Sequence, residues 1–263
     1  MPTGAITSYF DVAALTFTAF WLIFAFSLFY LRREDRREGY PLKTDIAEGN
    51  VVNPDGGLFK WIPDPKVFLL RDGRIATAPN YERDAAESKM PVNLERASHG
   101  PGMPWQPTGN PLTSGAGPAA WAMRDDSTDK TVKGETKIVP ISADKDFVIE
   151  PQDVDPRGLR VVATDGQAAG EVSDVWIDRS EDMIRYLEVR AGGKKVLLPI
   201  TMAQFRKHRN EHEVFVDSVT AEQFRAAPSP RAGSSVTLRE EDQITAYFGA
   251  GHLYAKPDRL YWL

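Results

Sequence analysis

The 263-residue sequence contains no cysteine and only four histidines. Without a thiol there is no disulfide-stapled scaffold, no thiolate metal site, no iron–sulfur cluster and no cysteine nucleophile. Charge is nearly balanced, 32 Lys and Arg against 37 Asp and Glu, for a formal net charge of -5. A chain of that sign has no general attraction for phosphate backbones, and no long basic stripe supplies one locally, so nucleic acid is not expected as a partner. A mean hydropathy of -0.37 excludes a chain that crosses a membrane many times. Long hydrophobic runs are absent with one exception.

The exception is Val12 to Leu31, VAALTFTAFWLIFAFSLFYL, twenty residues without a charge. At about 1.5 Å per residue it spans the roughly 30 Å hydrocarbon core of a bilayer. Residues 1–11 contain no Lys or Arg, and the run ends in Arg32, Arg33, Arg36 and Arg37 where a cleaved signal peptide would show small residues. The segment therefore reads as an uncleaved anchor. The positive-inside rule puts residues 1–11 outside and the rest of the chain in the cytoplasm. Tyr30, Tyr40 and the four arginines suit the headgroup level, whereas Trp21 in mid-span does not. No GxxxG pair argues for self-dimerisation through the span.

Eleven of the nineteen prolines fall between Pro41 and Pro118. Such a stretch cannot sustain long helices or central strands. Residues 32–136 are thus expected as an extended surface region, with a short hairpin from Lys66 to Pro79 turning at Arg71-Asp72-Gly73. Its aromatics, Phe59, Trp61, Trp105 and Trp121, are too many for a solvated linker, and the region is expected to be ordered against a partner or the membrane face of a complex. From Lys137 to the C-terminus the texture changes to short β-rich runs: Val161–Ala163, Glu171–Asp178, Ile184–Arg190, Lys195–Ile200 and Glu213–Val219. Strands at that spacing predict a small antiparallel barrel or curled sheet. Two short helices close it, one capped by Thr220 and Gln223, the other from Arg239 to Phe248 with Gly249 and Gly251 at its end. The fold class is a single N-terminal transmembrane helix with a mainly-β cytoplasmic domain.

His208, Glu211 and His212 spell H-x-x-E-H, an inverted zinc-protease pattern that needs a helix to bring its histidines together. Here it lies between two strands beside Arg206 and Lys207, and reads as a polar connection. Gly115, Gly117 and Ala120 mimic a dinucleotide loop, but Pro118 interrupts it and no strand precedes it. Acidic clusters carry more chemistry. Asp125, Asp126 and Asp129 form one, Glu150, Asp153 and Asp155 another, and Asp174, Asp178, Glu181 and Asp182 a third in the turn between two strands. Crowded carboxylates raise one another's pKa and can pass protons near neutral pH, and Arg179 and Arg185 stand close enough in sequence to keep part of the third cluster ionised.

Several segments together resemble one family along the whole chain: REGYPL after the span, QPTGNP at 106–111, GPAAW at 117–121, KIVP at 137–140, DPRGLRVVATDG at 155–166, GEVSDVWIDRSEDMIRYLEV at 170–189 and TLREEDQITAYFGAGHLYA at 237–255. They resemble the H subunit of the photosynthetic reaction centre of purple bacteria, whose strand-rich portion is a PRC-barrel. The resemblance implies a subunit that binds no pigment, caps the L and M subunits on the cytoplasmic side, stabilises the quinone region and conducts protons to the secondary quinone. Asp178 and Glu181 match the family's proton-path carboxylates and Arg185 their basic neighbour. The family's surface histidines are replaced at the aligned positions by Lys133 and Glu135, so Glu135, or Asp125, Asp126 and Asp129, becomes the candidate for proton entry. Bacteriochlorophyll, bacteriopheophytin, quinones and a non-haem iron are implied in the partner subunits, none in this chain. An antenna ring, a cytochrome subunit and membrane lipids are further implied neighbours, in the inner membrane of a bacterium with the N-terminus periplasmic. A membrane-tethered PRC-barrel adaptor for a non-photosynthetic partner is the alternative; it would need neither the Pro-rich aromatic segment nor the REGYPL junction.

Overall fold

The computed structural model describes Gly4 and residues 11–38, 62–71, 73–80, 82–83, 93–99, 103–257 and 259. Tyr40, Phe59, Trp61 and most of the REGYPL junction lie outside the described residues. The chain forms two compact units, Met1–Lys89 and Met90–Leu263.

In the first unit, α1 runs from Val12 to Glu34. Asp11 caps it, its Oδ1 accepting from the Ala14 N–H at 2.7 Å. The Thr16 and Thr18 hydroxyls donate back to the carbonyls of Val12 and Ala14, so neither presents an unmet polar group to lipid. The helix is long and apolar enough to cross a membrane. It continues past Leu31 because Arg32 and Arg33 are good helix formers and are favoured at a helix C-terminus. A 3-10 turn, Asp35–Arg37, follows. The expected hairpin is present as β1, Lys66–Leu69, and β2, Ile75–Ala78, in antiparallel register.

The second unit opens with a small hairpin, β3, Leu94–Arg96, and β4, Trp105–Pro107. Its main sheet comprises β5, Ile138–Pro140, β6, Arg160–Ala163, β7, Ala168–Asp178, β8, Met183–Ala191, β9, Lys194–Pro199, β10, Gln204–His208, and β11, Glu211–Val216. The ladder runs β10-β11-β6-β7-β8-β9, with β5 on the second half of β7. Two features depart from an antiparallel barrel. Strand β11 pairs with β6 in parallel, and among the described residues no pairing joins β9 to β10 to close the ladder. Strand β10 pairs forward with β11 in a hairpin, so a 3-10 turn, Ile200–Met202, intervenes where closure would fall. Sequence pattern missed β10 because every residue of it is exposed, so no alternation marks it.

Alternating residues of β6 to β9 and β11 turn Val161, Val175, Leu187, Val196, Leu198, Val214 and Val216 into one core, where all are fully buried. Two capped helices cover it: α2, Ala221–Ala226, and α3, Leu238–Tyr254. In both, the N-cap threonine and the residue three positions on satisfy each other's orphan N–H groups. Helix α3 buries Ile244, Tyr247, Phe248 and Gly251, one face at helical spacing. Phe248 meets Phe224 of α2 edge to face at 5.5 Å, and burying each ring contributes roughly 1.5–3 kcal/mol. The Pro-rich chain from Met103 onward also belongs to this unit. Leu112 and Ala119, on 3-10 turns with proline at the first or second position, are buried in the same core. That stretch is thus ordered on its own domain.

Helix α3 runs through Gly249 and Gly251, which sequence reading took as its end. Gly251 is there for contact: a Cβ at this position would lie 2.0 Å from the Ser218 carbonyl oxygen. Two effects therefore oppose each other in Gly251→Ala. Helix propensity favours Ala by about 1 kcal/mol, whereas forcing α3 off the strand-to-helix connection costs about 3 kcal/mol or more. The clash dominates, and the variant is expected to lower the unfolding midpoint of the domain; a raised midpoint would show that α3 does not approach Ser218 this closely.

Candidate functional site

The third acidic cluster forms where β5, β7 and β8 meet. Asp178, the last residue of β7, lies opposite Ile138 of β5 and Met183 of β8 and is 0% exposed. Its Oδ1 accepts from the N–H groups of Ser180 (2.9 Å) and Glu181 (3.2 Å), the side-chain turn that lets Asp start a reversal of chain. Its Oδ2 has no directed hydrogen bond but faces two cations, Lys137 Nζ at 3.3 Å and Arg185 Nε at 4.0 Å.

Lys137 was not among the candidates read from sequence, and it is the centre of the site. It precedes β5, and its backbone is fixed on both sides, the N–H donating to the Asp129 carbonyl and the C=O accepting from the Arg179 N–H. Its Nζ stands 3.3 Å from Asp178, 3.6 Å from Asp129 Oδ2 and 3.6 Å from Glu181 Oε1. Burial works against the charge on this ammonium, but the Asp178 carboxylate, aided by Asp129 and Glu181, outweighs it and holds the lysine pKa above its ordinary value. The carboxylates are graded in exposure: the Glu181 side chain is 52% exposed, Asp129 39% and Asp178 not at all. Three carboxylates thus face two cations within a few ångströms of one another.

A second group missed in the sequence adjoins this one electrostatically. Glu241, in the first turns of α3, accepts from the Tyr186 hydroxyl at 3.0 Å. Burial pushes its carboxyl pKa up, the Tyr186 hydrogen bond and the charges of Arg185 and Arg124 offset part of that, and Asp129 adds to the rise. Burial, with the Glu241 carboxylate beside it, raises the Tyr186 pKa as well. Acidic residues in a first helical turn are ordinary, so the pattern alone gave no reason to single out Glu241.

The other candidates fall elsewhere. Asp174 is buried four residues back along β7, accepting a short hydrogen bond from the Ser142 hydroxyl and another from the Val175 N–H. Arg179 turns away from the cluster to Asp144, at 2.5 Å, and to the Thr136 carbonyl. Asp126 ties the chain to the start of α3: hydrogen bonds from Arg231 and Thr237 lower its pKa, and Arg239 stands 3.8 Å away. Asp125 and Glu135 are exposed. Of the proton-transfer candidates, then, Asp129, Asp178, Glu181 and Arg185 come together. Glu188, buried on β8, accepts from Trp176 Nε1 and the Ser173 hydroxyl and pairs with Lys195 at 3.1 Å, a fully satisfied structural carboxylate.

The H-x-x-E-H residues occupy the β10–β11 hairpin, whose two-residue turn is Arg209-Asn210, both at positive φ. His208 pairs with Glu211 and His212 with Lys207, so the ladder puts the two histidines on opposite faces. They cannot bind one zinc as a helix would allow. Among the described residues no three His, Asp or Glu side chains are gathered to hold a metal ion. At the membrane end, Arg36 donates to the Arg32 carbonyl, and Arg37 is engaged within its own unit with Glu34 and the carbonyls of Asp64 and Ala78.

The fold and this site define a class: a sheet domain carrying a lysine-centred carboxylate cluster, in a chain with one candidate membrane helix. Residues 152–223, β6 to the first turn of α2, match the PRC-barrel domain. Residues 4–143 match the photosynthetic reaction centre H-chain N-terminal region. The chain belongs to the H-chain family of the photosynthetic reaction centre, and is a membrane-associated subunit whose family membership implies association with the L and M subunits. The cluster straddles the two matches, with Asp129 and Lys137 in the first and Asp178, Glu181 and Arg185 in the second.

The raised Glu241 pKa makes stability depend on pH. In the unfolded chain this carboxyl ionises near 4.5, in the fold only at a higher pH, so the folded state binds its proton more tightly. That contribution is complete below the ordinary value and is lost as pH rises through the raised one. Glu241→Gln keeps a neutral acceptor for Tyr186 and removes the loss. Thermal melts of the two proteins from about pH 4 to about pH 8 should show the variant gaining on wild type as pH rises; a gap independent of pH would contradict the assignment.

Proposed function

We propose that this subunit caps L and M on the cytoplasmic side, stabilises the quinone region and conducts protons to the secondary quinone as it is reduced to quinol. The observation that supports the reading is the graded set of carboxylates around Lys137. A relay must take protons from water and deliver them to a buried site, which calls for acids spaced within a few ångströms and ranging from exposed to buried. Glu181 and Asp129 supply the exposed end, Asp178 the buried end, and Lys137 with Arg185 supplies the opposing positive charge. When an electron arrives on the quinone in the partner subunits, its negative charge raises the proton affinity of its surroundings and draws a proton inward through the cluster. Glu241, whose carboxyl pKa burial raises, is coupled to the cluster through the charges of Arg185 and Asp129.

On this reading the subunit contributes electrostatics and positioning and makes or breaks no bond, so it is an accessory subunit and not an enzyme. Bacteriochlorophyll, bacteriopheophytin, the quinones and the non-haem iron belong to the partner subunits, and an antenna ring and a cytochrome subunit are further neighbours. The four arginines after the span orient the chain with its N-terminus in the periplasm and the sheet domain in the cytoplasm.

The test is flash kinetics on the assembled complex. Glu181→Gln and Lys137→Met should each slow proton-coupled transfer of the second electron, by roughly tenfold if the cluster's proton affinity shifts by about one pK unit, and leave charge separation untouched. Wild-type rates for the second electron in both variants would refute the relay.

A further inference from the structure

The β1–β2 hairpin exposes apolar side chains where a water-soluble hairpin would hide them. Val67 lies opposite Thr77 and Leu69 opposite Ile75, so Val67, Leu69 and Ile75 share one face. They are 66%, 78% and 70% exposed. Four-residue strands in an isolated pair are marginal in water and gain nothing from a face left open.

The hairpin is also fixed in place relative to α1. Arg37 holds Glu34 with two hydrogen bonds, 2.9 and 2.8 Å, and from its other nitrogen donates to the carbonyls of Asp64 (2.9 Å) and Ala78 (3.0 Å), one on each side of the hairpin's open end. Lys66 Nζ adds a contact of 3.5 Å to Glu34. Glu34 is three residues beyond the last apolar residue of the span, about 4.5 Å along the helix axis. The headgroup layer on each side of the hydrocarbon is roughly 5–7 Å thick. The open end of the hairpin is therefore held at headgroup depth if α1 crosses the bilayer. Its turn carries Arg71 and Arg74, and Arg32 and Arg36 flank the anchoring point, basic side chains of the kind that anionic headgroups attract.

We propose that this hairpin is a second membrane contact, its Val67, Leu69 and Ile75 face seated in the interfacial layer of the bilayer that α1 crosses. The arginines engage headgroup phosphates while the three aliphatic side chains reach the upper acyl region. Lipid is the occupant chosen because the hairpin is tied to the end of α1 through Arg37 and Lys66 and its turn and anchoring point carry basic residues. Together, hairpin and helix would fix the tilt and rotation of the anchor, which a smooth apolar helix cannot do alone.

The absence of cysteine makes the test direct, since one introduced thiol is the only one in the chain. Leu69→Cys or Ile75→Cys, each at a strongly exposed position, is labelled with a small fluorophore in the full chain assembled with L and M in nanodiscs containing phosphatidylglycerol. Val132→Cys, on an exposed turn of the sheet domain, serves as control. The hairpin labels should be quenched by lipids carrying a nitroxide high on the acyl chain and shielded from iodide in water, and the control the reverse. Quenching of the hairpin labels by iodide to the level of the control overturns the proposal, and so does shielding from both quenchers, which would mean that protein covers the face. The readout involves no electron or proton transfer, so its outcome is independent of the relay.

Discussion

Asp178 has no exposure to water, and a carboxylate in that position is tolerable only where its charge is met. Much of the geometry around it follows from that requirement. The β7–β8 turn is wound so that two N–H groups reach one of its oxygens. Strand β5 is laid on β7 in the register that brings Lys137 to the other. The backbone contacts of Lys137 with Asp129 and Arg179 then draw the preceding loop and the turn to the same point. The pair adds little net stability over an apolar filling, by the usual balance of desolvation against attraction. Its consequence is that several titratable groups are held within a few ångströms of one another.

The same economy is visible at the other unit. Arg37 closes the 3-10 turn that follows α1, and all three of its guanidinium nitrogens are engaged. Two go to Glu34 and one to two carbonyls of the hairpin. A planar fork with five donors can hold a helix end and two strand ends at once, which a lysine could not. The arginine cluster after the span therefore has two roles: charge for the membrane surface, and a fastening within the chain.

Sequence pattern succeeded where a signal is local. A twenty-residue uncharged run, the Thr220–Gln223 capping box, the short β-rich runs and the acidic turn after β7 each involve residues within a few positions of one another. It failed where a residue's role is set by something distant. Strand β10 carries no alternation because it is an exposed edge. Gly251 looked like a helix stop and is a contact point with Ser218. Arg179 is next to Asp178 in sequence and pairs with Asp144.

The residues by themselves therefore determined that the chain carries one membrane-length helix, a short-stranded β domain and a carboxylate turn, because hydrophobic period, capping and turn chemistry act over a few residues. Only the tertiary structure decided that Lys137 gathers Asp129, Asp178 and Glu181, that Glu241 sits protonation-prone against Tyr186, that β6 and β11 run parallel, and that the Pro-rich stretch packs beneath α3. Each of those depends on the register between segments far apart in the chain. That register is chosen by the burial of the whole core at once, and no short window of sequence contains it.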